Sequence, residues 1–255
     1  MSPDTIAILL GRKGSKGLPG KNTMTILGRP ISNYSILAAL NSNYVSEIYL
    51  STDDQDLLLE AEKFQLHTIV RPAELCSDEA LFEDALMHGY KEATKSRGNK
   101  PDLVVVLMCN VITIDNILID SAIEALNSDP LADSAVTVTK LNMYSPLRAR
   151  KRSNKGYLQP FVPFEALGNP DTLSCDRDSQ GDVYFADMSH SVSRSRAMDN
   201  IENGLLPQRW MGQNILPVYN SFGCDIDAPW QVDASVHWLH EKGFTEGRTP
   251  YDNLG

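Results

Sequence analysis

The chain has 255 residues and a mass of 28.2 kDa, which is enough for one large domain or for a core with a smaller appendage. Hydrophobic residues make up 42% and charged residues 22%, and no run approaches the roughly 18 consecutive apolar residues of a membrane span, so we expect a soluble protein. The 23 Lys and Arg against 33 Asp and Glu give a formal net charge of -10, which argues against binding along a nucleic-acid backbone or an anionic membrane.

The N-terminal residues contain an acid at Asp4, a short apolar stretch and no basic segment. This pattern does not fit a cleaved secretory signal, so a cytoplasmic location is predicted. The four cysteines are widely scattered and form no C-x-x-C pair, so we predict free thiols rather than a zinc site or a disulfide framework.

Strand-like apolar runs alternate with segments of helical periodicity through the first half of the chain. This alternation is typical of a three-layer α/β fold, in which a mostly parallel, Rossmann-like sheet is covered by helices. Strands are predicted at residues 5–10, 47–50, 67–70, 103–108, 135–139, 183–186 and 214–219. A first helix is predicted to start near residue 30. Three more are predicted over residues 54–64, 79–96 and 115–126, and a last one after Pro229.

Residues 142–182 break this alternation, because they carry four prolines, several glycines and a basic cluster. We interpret the segment as an excursion from the core that includes a short hairpin and serves as a dimerisation arm. The predicted organisation is a core of residues 1–141 and 183–255 with this arm inserted. The basic cluster comprises Arg148, Arg150, Lys151, Arg152 and Lys155.

The loop after the first predicted strand, residues 11–22, packs four glycines and four cations into twelve residues. Glycines allow backbone N–H groups to converge on an anion, and the cations add charge-assisted donors, so the loop is suited to a triphosphate. It is not a Walker loop, because Ser15 and Asn22 stand where that motif needs glycine and Ser or Thr, and its glycine spacing differs from the dinucleotide pattern. The alternative is a solvated basic turn.

Three sequence blocks carry a family resemblance. They are the loop residues Arg12, Ser15–Pro19 and Lys21–Asn22, the segment Ser51–Asp54, and the segment Arg71–Asp78. In this order they resemble the first-loop signature, the S-T-D motif and the R-P-A-E-L-A-S-D block of the CMP-N-acylneuraminate synthetases, the cytidylyltransferases that activate sialic acid and related acidic sugars. The resemblance implies a fold of the nucleotide-diphospho-sugar transferase type and a homodimer that pairs through the arm.

The same resemblance implies roles for individual residues. Arg12 and Lys21 are expected to act in catalysis by offsetting negative charge in the transition state. For Arg71 taken alone, the alternative is a surface salt bridge. The residues expected to bind the nucleotide are Leu10, Arg12, Ser15, Lys16, Lys21, Asn22, Arg71, Ser77 and Asp78.

Two aspartates near the C-terminus form a candidate metal site. Asp225 and Asp227 are two residues apart, so in an extended chain both side chains point to the same face and can share a hard cation such as magnesium. The alternative is a pair of solvated loop acids. The segment matches the D-I-D motif of the synthetases, which is understood to hold magnesium.

The chain departs from the synthetases on the side of the sugar. Residues 108–114 replace the family's Q-P-T-S-P-L-R, and Asn110 and Thr113 are the only hydrogen-bonding side chains left there. In a second segment, Tyr184 matches a family tyrosine, but Arg177 is displaced by one residue from the family arginine.

Arg148 stands where a family cation faces the acidic substrate across the dimer. We hypothesise that Arg148 and Arg177 recognise an acid other than sialic acid; the alternative is that the cations of the arm pair with acids of a partner subunit. The predicted substrate-binding residues are Asn110, Arg148, Arg177 and Tyr184.

Together these features predict a magnesium-dependent cytidylyltransferase that activates an acidic, sialic-acid-like 2-keto sugar with CTP, giving a CMP-sugar and pyrophosphate. One alternative is the same reaction with a 3-deoxy-octulosonate-like sugar or another nonulosonic acid. Another is a nucleotide-binding paralogue without catalytic activity. The two aspartates argue against that paralogue, because a protein that only binds nucleotide needs no catalytic metal.

Overall fold

A computed structural model describes residues 2–14, 17–176 and 181–252. Its strands are β1 Thr5–Leu10, β2 Thr25–Ile26, β3 Arg29–Pro30, β4 Val45–Thr52, β5 His67–Val70, β6 Leu103–Met108, β7 Ser134–Lys140, β8 Arg150–Arg152, β9 Leu158–Pro160, β10 Tyr184–Arg194 and β11 Ile215–Tyr219. Its α-helices are α1 Ser32–Leu40, α2 Gln55–Lys63, α3 Phe82–Arg97, α4 Asn116–Ser128, α5 Ser195–Asp199 and α6 Pro229–Glu241. Within the described residues, none of the helices has the length and apolar character needed to cross a membrane.

The main sheet has seven strands in the order β11-β7-β10-β6-β1-β4-β5. The neighbours of β1 are parallel to it, and the β4–β5 and β7–β11 pairs are parallel as well, whereas β10 runs antiparallel to β6 and β7. Helices connect most of the parallel strands, because the chain must cross back over the sheet before it can start a parallel strand. The predicted α/β class with a mostly parallel sheet is confirmed.

Hydrophobic cores lie on both faces of the sheet. Along β1, Ala7 and Leu9 pack into the core that also contains α1, α4 and α6, while Ile6 and Ile8 pack on the opposite face, which is covered by α3. Both sides of the strand are therefore buried, which explains its uninterrupted apolar sequence. Each fully buried Leu or Ile side chain contributes about 1.5–3 kcal/mol to stability.

Two helices begin at the acidic residues that the sequence analysis predicted as their starts. The Asp54 side chain caps α2 by accepting a hydrogen bond from the backbone N–H of Asp56, and Asp115 caps α4 by accepting one from Leu118. Asp side chains are favoured at this position because they satisfy N–H groups that have no partner within the helix. The helix predicted to start near residue 30 instead begins at Ser32, because Pro30 pairs with Thr25 in a short hairpin.

Most of strand β10 is not predicted by the sequence pattern. A strand was predicted over residues 183–186 only, but the strand continues to Arg194 in the middle of the sheet. Ser189, Ser191 and Ser193 are buried there, and the Ser191 hydroxyl accepts a hydrogen bond from the indole of Trp210. Small polar residues that are buried in this way do not produce the apolar run expected of a central strand.

The segment between β7 and β10 contains the predicted hairpin, formed by β8 and β9 outside the main sheet. The other regular structure described between residues 142 and 176 consists of short 3-10 turns. Tyr157, Leu158 and Phe161 are largely exposed on and beside the hairpin. Its part in dimerisation stays a prediction.

His190 on β10 is expected to make the protein less stable in acid. Its imidazole is buried, and this burial lowers the pKa of His190 to about 4. In the unfolded chain the pKa is about 6.5, so the unfolded state binds the proton first and stability falls as the pH drops from about 6.5 towards 4. Between pH 7 and pH 5 this group should cost about 2 kcal/mol of the free energy of unfolding.

Urea denaturation at pH 7 and pH 5 measures this effect, with His190→Leu as the comparison. The variant removes the titrating group and should lose correspondingly less stability between the two pH values. Equal losses in the wild type and the variant would show that His190 does not titrate in this way.

Candidate active site

A cavity of about 240 Å³ opens at the carboxyl ends of β1, β5 and β6, the edge at which parallel α/β sheets bind ligands. Several predicted nucleotide-binding residues and one predicted metal ligand meet here. The predicted residues that line the cavity are Leu10, Arg12, Lys21, Asn22, Arg71, Asn110 and Asp225.

Close contacts hold the first loop at this edge. A side-chain Cβ at Gly11 would lie 2.6 Å from Sγ of Cys109, so the loop can leave β1 in this direction only with glycine. The Lys13 N–H donates to a carboxylate oxygen of Asp53 at 2.9 Å, and the Asn22 side chain donates to the Arg12 carbonyl at 3.0 Å. Hydrogen bonds to the segment 51–54 and within the loop therefore hold the backbone of the first loop in place. Ser15 and Lys16, both predicted to bind phosphate, lie outside the described residues.

Arg12 links the first loop to the segment 71–78. Its guanidinium donates to the carbonyl of Cys76 at 2.9 Å and to the carboxylate of Asp78 at 3.0 Å. The predicted nucleotide-binding residue Asp78 therefore contacts Arg12. Ser77 donates to the carbonyl of Glu74 and is exposed. A phosphate in the cavity would compete with these partners for Arg12.

Arg71 is buried beneath the cavity. Its guanidinium donates to the Ser51 carbonyl at 2.7 Å and to the Ser51 hydroxyl at 3.3 Å, and burial lowers the pKa of the group. The alternative of a surface salt bridge is wrong, because the side chain is only 6% exposed. Arg71 instead joins β4 to the start of the segment 71–78.

One of the two predicted metal ligands lines the cavity, and the other contacts a residue that lines it. Asp225 lines it, and Asp227 forms an ion pair with Lys21, whose side chain is 14% exposed. Burial raises the pKa of Asp225, and the nearby charge of Asp227 raises it further. The two carboxylates thus repel each other, and Lys21 compensates them only in part.

These two carboxylates fit magnesium, which prefers oxygen ligands and is commonly bound by one or two carboxylates together with substrate phosphates and water. In the described part of the chain, no cluster of three or more His, Cys, Asp or Glu side chains suited to a metal is present. Phosphate oxygens and water would complete the coordination, as is common for this ion.

The predicted substrate residues are dispersed. Asn110 lines the cavity, while Arg148 lies in the turn that precedes β8 and donates to the carbonyl of Cys175 at 2.8 Å. Tyr184 is at the start of β10 and donates to Asp182 at 3.2 Å. Within the described residues, neither Arg148 nor Tyr184 lines the cavity. Arg177 lies outside the described residues.

The apolar wall of the cavity was not predicted. Phe82, the first residue of α3, packs against Trp210 with ring centroids 5.0 Å apart. Such a wall beside charged groups suits the flat face of a nucleotide base. The available signal was the short apolar run of residues 80–82, which follows Asp78 and Glu79 in the sequence. The wall consists of Leu75, Ala80, Leu81, Phe82, Ala85 and Met108.

Comparisons with known proteins identify the family of the chain. A family model of cytidylyltransferases matches residues 6–153. The chain is 34% identical over 88 residues to an N-acylneuraminate cytidylyltransferase of Escherichia coli, a match that covers 34% of this chain and 21% of that protein. It is 32% identical over 120 residues to a pseudaminic acid cytidylyltransferase of Campylobacter jejuni, covering 47% of this chain and 51% of the other. The chain thus matches about half or less of the length of these relatives.

A solved structure shares the fold. It is that of a CMP:2-keto-3-deoxy-manno-octonic acid synthetase complexed with CTP, with a TM-score of 0.65 and 18% identity, and the match covers 93% of this chain and 99% of that one. At this identity the likeness establishes the common architecture.

Proposed function

Since the chain belongs to the cytidylyltransferase family, we propose that it transfers the cytidylyl group of CTP to a hydroxyl of an acidic sugar, giving a CMP-sugar and pyrophosphate. The observation that carries this proposal is that two cations and one carboxylate line the same cavity, while a second carboxylate pairs with one of these cations. Arg12 and Lys21 come from the first loop, and Asp225 and its neighbour Asp227 come from the opposite end of the sequence.

The reaction needs these charges. Attack of a hydroxyl on the α-phosphorus places negative charge on the phosphate oxygens and on the departing pyrophosphate. Arg12 and Lys21 would hold the phosphates and stabilise this charge by charge-assisted hydrogen bonds. Asn22 fixes the loop that carries them, and the apolar wall that includes Phe82 would pack against the base.

Magnesium fits this proposal. Asp225 and Asp227 would hold it. When bound, the ion neutralises charge on the α-phosphate and on pyrophosphate. Lys21, which pairs with Asp227 in the free protein, would bind the phosphates.

We propose a nonulosonic acid as the sugar. The relatives named above act, by their names, on N-acylneuraminic and pseudaminic acids, which belong to this class. Met108 places a thioether where the synthetases have a glutamine, which favours an acid other than sialic acid. We further propose a homodimer that pairs through residues 142–182, supported by the exposed apolar side chains of the hairpin.

Pyrophosphate release tests the activity. The purified protein is incubated with CTP, magnesium and each of a panel of 2-keto sugar acids. Release is expected with CTP and at least one nonulosonic acid. No release with any acid would favour a protein that only binds nucleotide, and preference for another nucleoside triphosphate would contradict cytidylyl transfer.

A further inference from the structure

The two aspartates belong to a short segment, here called the carboxylate loop, that comprises Cys224–Asp227. This loop pairs antiparallel with the chain just after β6. Val111 and Asp225 form an isolated antiparallel bridge, and the Ile226 N–H donates to the Asn110 carbonyl at 2.8 Å. The Asn110 side-chain amide donates in return to the Ile226 carbonyl at 3.3 Å. The residue between the two aspartates is thus held at both its N–H and its carbonyl.

Thr113 holds the preceding residue of the carboxylate loop. Its side chain is fully buried, and its hydroxyl accepts a hydrogen bond from the Cys224 N–H at 3.2 Å. The same hydroxyl contacts the Ser189 hydroxyl at 3.2 Å, which ties this point to β10. Thr113 is not among the described residues that line the cavity, so it acts on the loop from behind.

These contacts explain the altered segment 108–114. Asn110 and Thr113 are the hydrogen-bonding side chains that the segment retains, and both bond to the carboxylate loop. The amide of Asn110, which the sequence predicted to contact substrate, is engaged by Ile226. Two carboxylates held close together repel each other, so their backbone keeps its position only if other bonds restrain it.

We propose that Thr113 and Asn110 are positioning residues that hold Asp225 and Asp227 in the geometry needed to bind a divalent cation together with the nucleotide phosphates. This inference rests on the proposed function and extends it to residues behind the site. Groups that orient metal ligands in this way usually change metal affinity by about 10- to 100-fold when they are removed.

Thr113→Val tests the proposal, because valine has nearly the same shape and lacks the hydroxyl. Binding of Mn²⁺ to the protein in the presence of CTP is measured by electron paramagnetic resonance of the free ion, a readout that needs no turnover. The variant should bind Mn²⁺ about 10-fold more weakly or worse, while its affinity for CTP without metal stays the same. Thr113→Ser keeps the hydroxyl and should restore binding.

Thr137→Val is the matched control. Thr137 is equally buried, and its hydroxyl also bonds to backbone groups, those of His190 on β10, at 3.0 and 3.2 Å. This variant should lose similar stability and keep its affinity for Mn²⁺. If Thr113→Val does not fold, Asn110→Ala removes the side-chain bond to Ile226 and should weaken Mn²⁺ binding in the same direction.

The possible results separate the two claims. Unchanged Mn²⁺ affinity in a folded Thr113→Val protein, or an equal loss in Thr137→Val, would overturn the positioning role. Absence of Mn²⁺ binding by the wild type with CTP would also overturn it. Failure of the wild type to release pyrophosphate with any acid would instead overturn the proposed function, because the Mn²⁺ measurement does not depend on turnover.

Discussion

Lys21→Met is expected to lower kcat by about 10²- to 10³-fold, the usual effect of removing one preorganised donor from a site of developing charge. Lys21 lines the cavity, its side chain is mostly buried, and it forms an ion pair with Asp227. Methionine keeps most of the length and apolar surface of the stem, so the change removes the charge and little packing. Steady-state kinetics with CTP and the acid found active in the pyrophosphate assay measure kcat.

A second measurement on the same variant separates catalysis from metal binding. In the free protein, Lys21 occupies the carboxylate of Asp227, so it competes there with a cation. The variant should therefore bind Mn²⁺ without nucleotide at least as tightly as the wild type, although its turnover is lost. Lys63→Met is the control, because Lys63 is exposed on α2, away from the cavity, and also pairs with an acid, the buried Glu60. A kcat within twofold of the wild type for Lys21→Met would contradict the role of Lys21.

Asp225→Asn is expected to lower turnover by about 10²-fold or more, because it removes one of two charged ligands for the metal. The same substitution should leave the stability of the folded protein unchanged or increase it. Burial and the charge of Asp227 raise the pKa of Asp225, so the ionised carboxylate is unfavourable in the folded protein at pH 7. The neutral amide removes this penalty, and the variant should melt at the same or a higher temperature without ligands.

Thermal denaturation with and without magnesium and CTP measures this signature. The wild type should be stabilised by the ligands, since they bind only the folded protein, and the stabilisation should be much smaller in Asp225→Asn. Asp233→Asn makes the same chemical change at an exposed position of α6 and should behave as the wild type. A variant that is less stable without ligands, yet keeps its response to magnesium and CTP, would contradict the assignment of Asp225.

Much of the fold could be predicted from local sequence patterns. The strands over residues 5–10, 67–70 and 103–108 have the predicted bounds, and two of them are continuous apolar runs buried on both faces. Strand β10 could not be recognised in full, because its serines are buried through hydrogen bonds such as the one from Trp210. Such bonds depend on residues distant in the sequence.

The candidate site was predicted in part. The motifs identified the family correctly, and they named Arg12, Lys21 and Asp225, which meet in the cavity. The pairing of Asn110 with Ile226 could not be predicted, because it joins residues 116 positions apart and depends on how the chain returns to the sheet. For the same reason, the sequence did not reveal the bond from Asn110 to the carboxylate loop. The substrate contact of Asn110 stays a prediction, because Asn110 also lines the cavity.

Identification of the product tests cytidylyl transfer most directly. The protein is incubated with CTP, magnesium and, separately, N-acylneuraminic acid, pseudaminic acid and 3-deoxy-octulosonic acid, and the mixtures are analysed by mass spectrometry. We predict a CMP-sugar with a nonulosonic acid, formed in equal amount to pyrophosphate and absent from the Asp225→Asn reaction. Binding of CTP without a CMP-sugar from any of these acids would contradict the proposed activity.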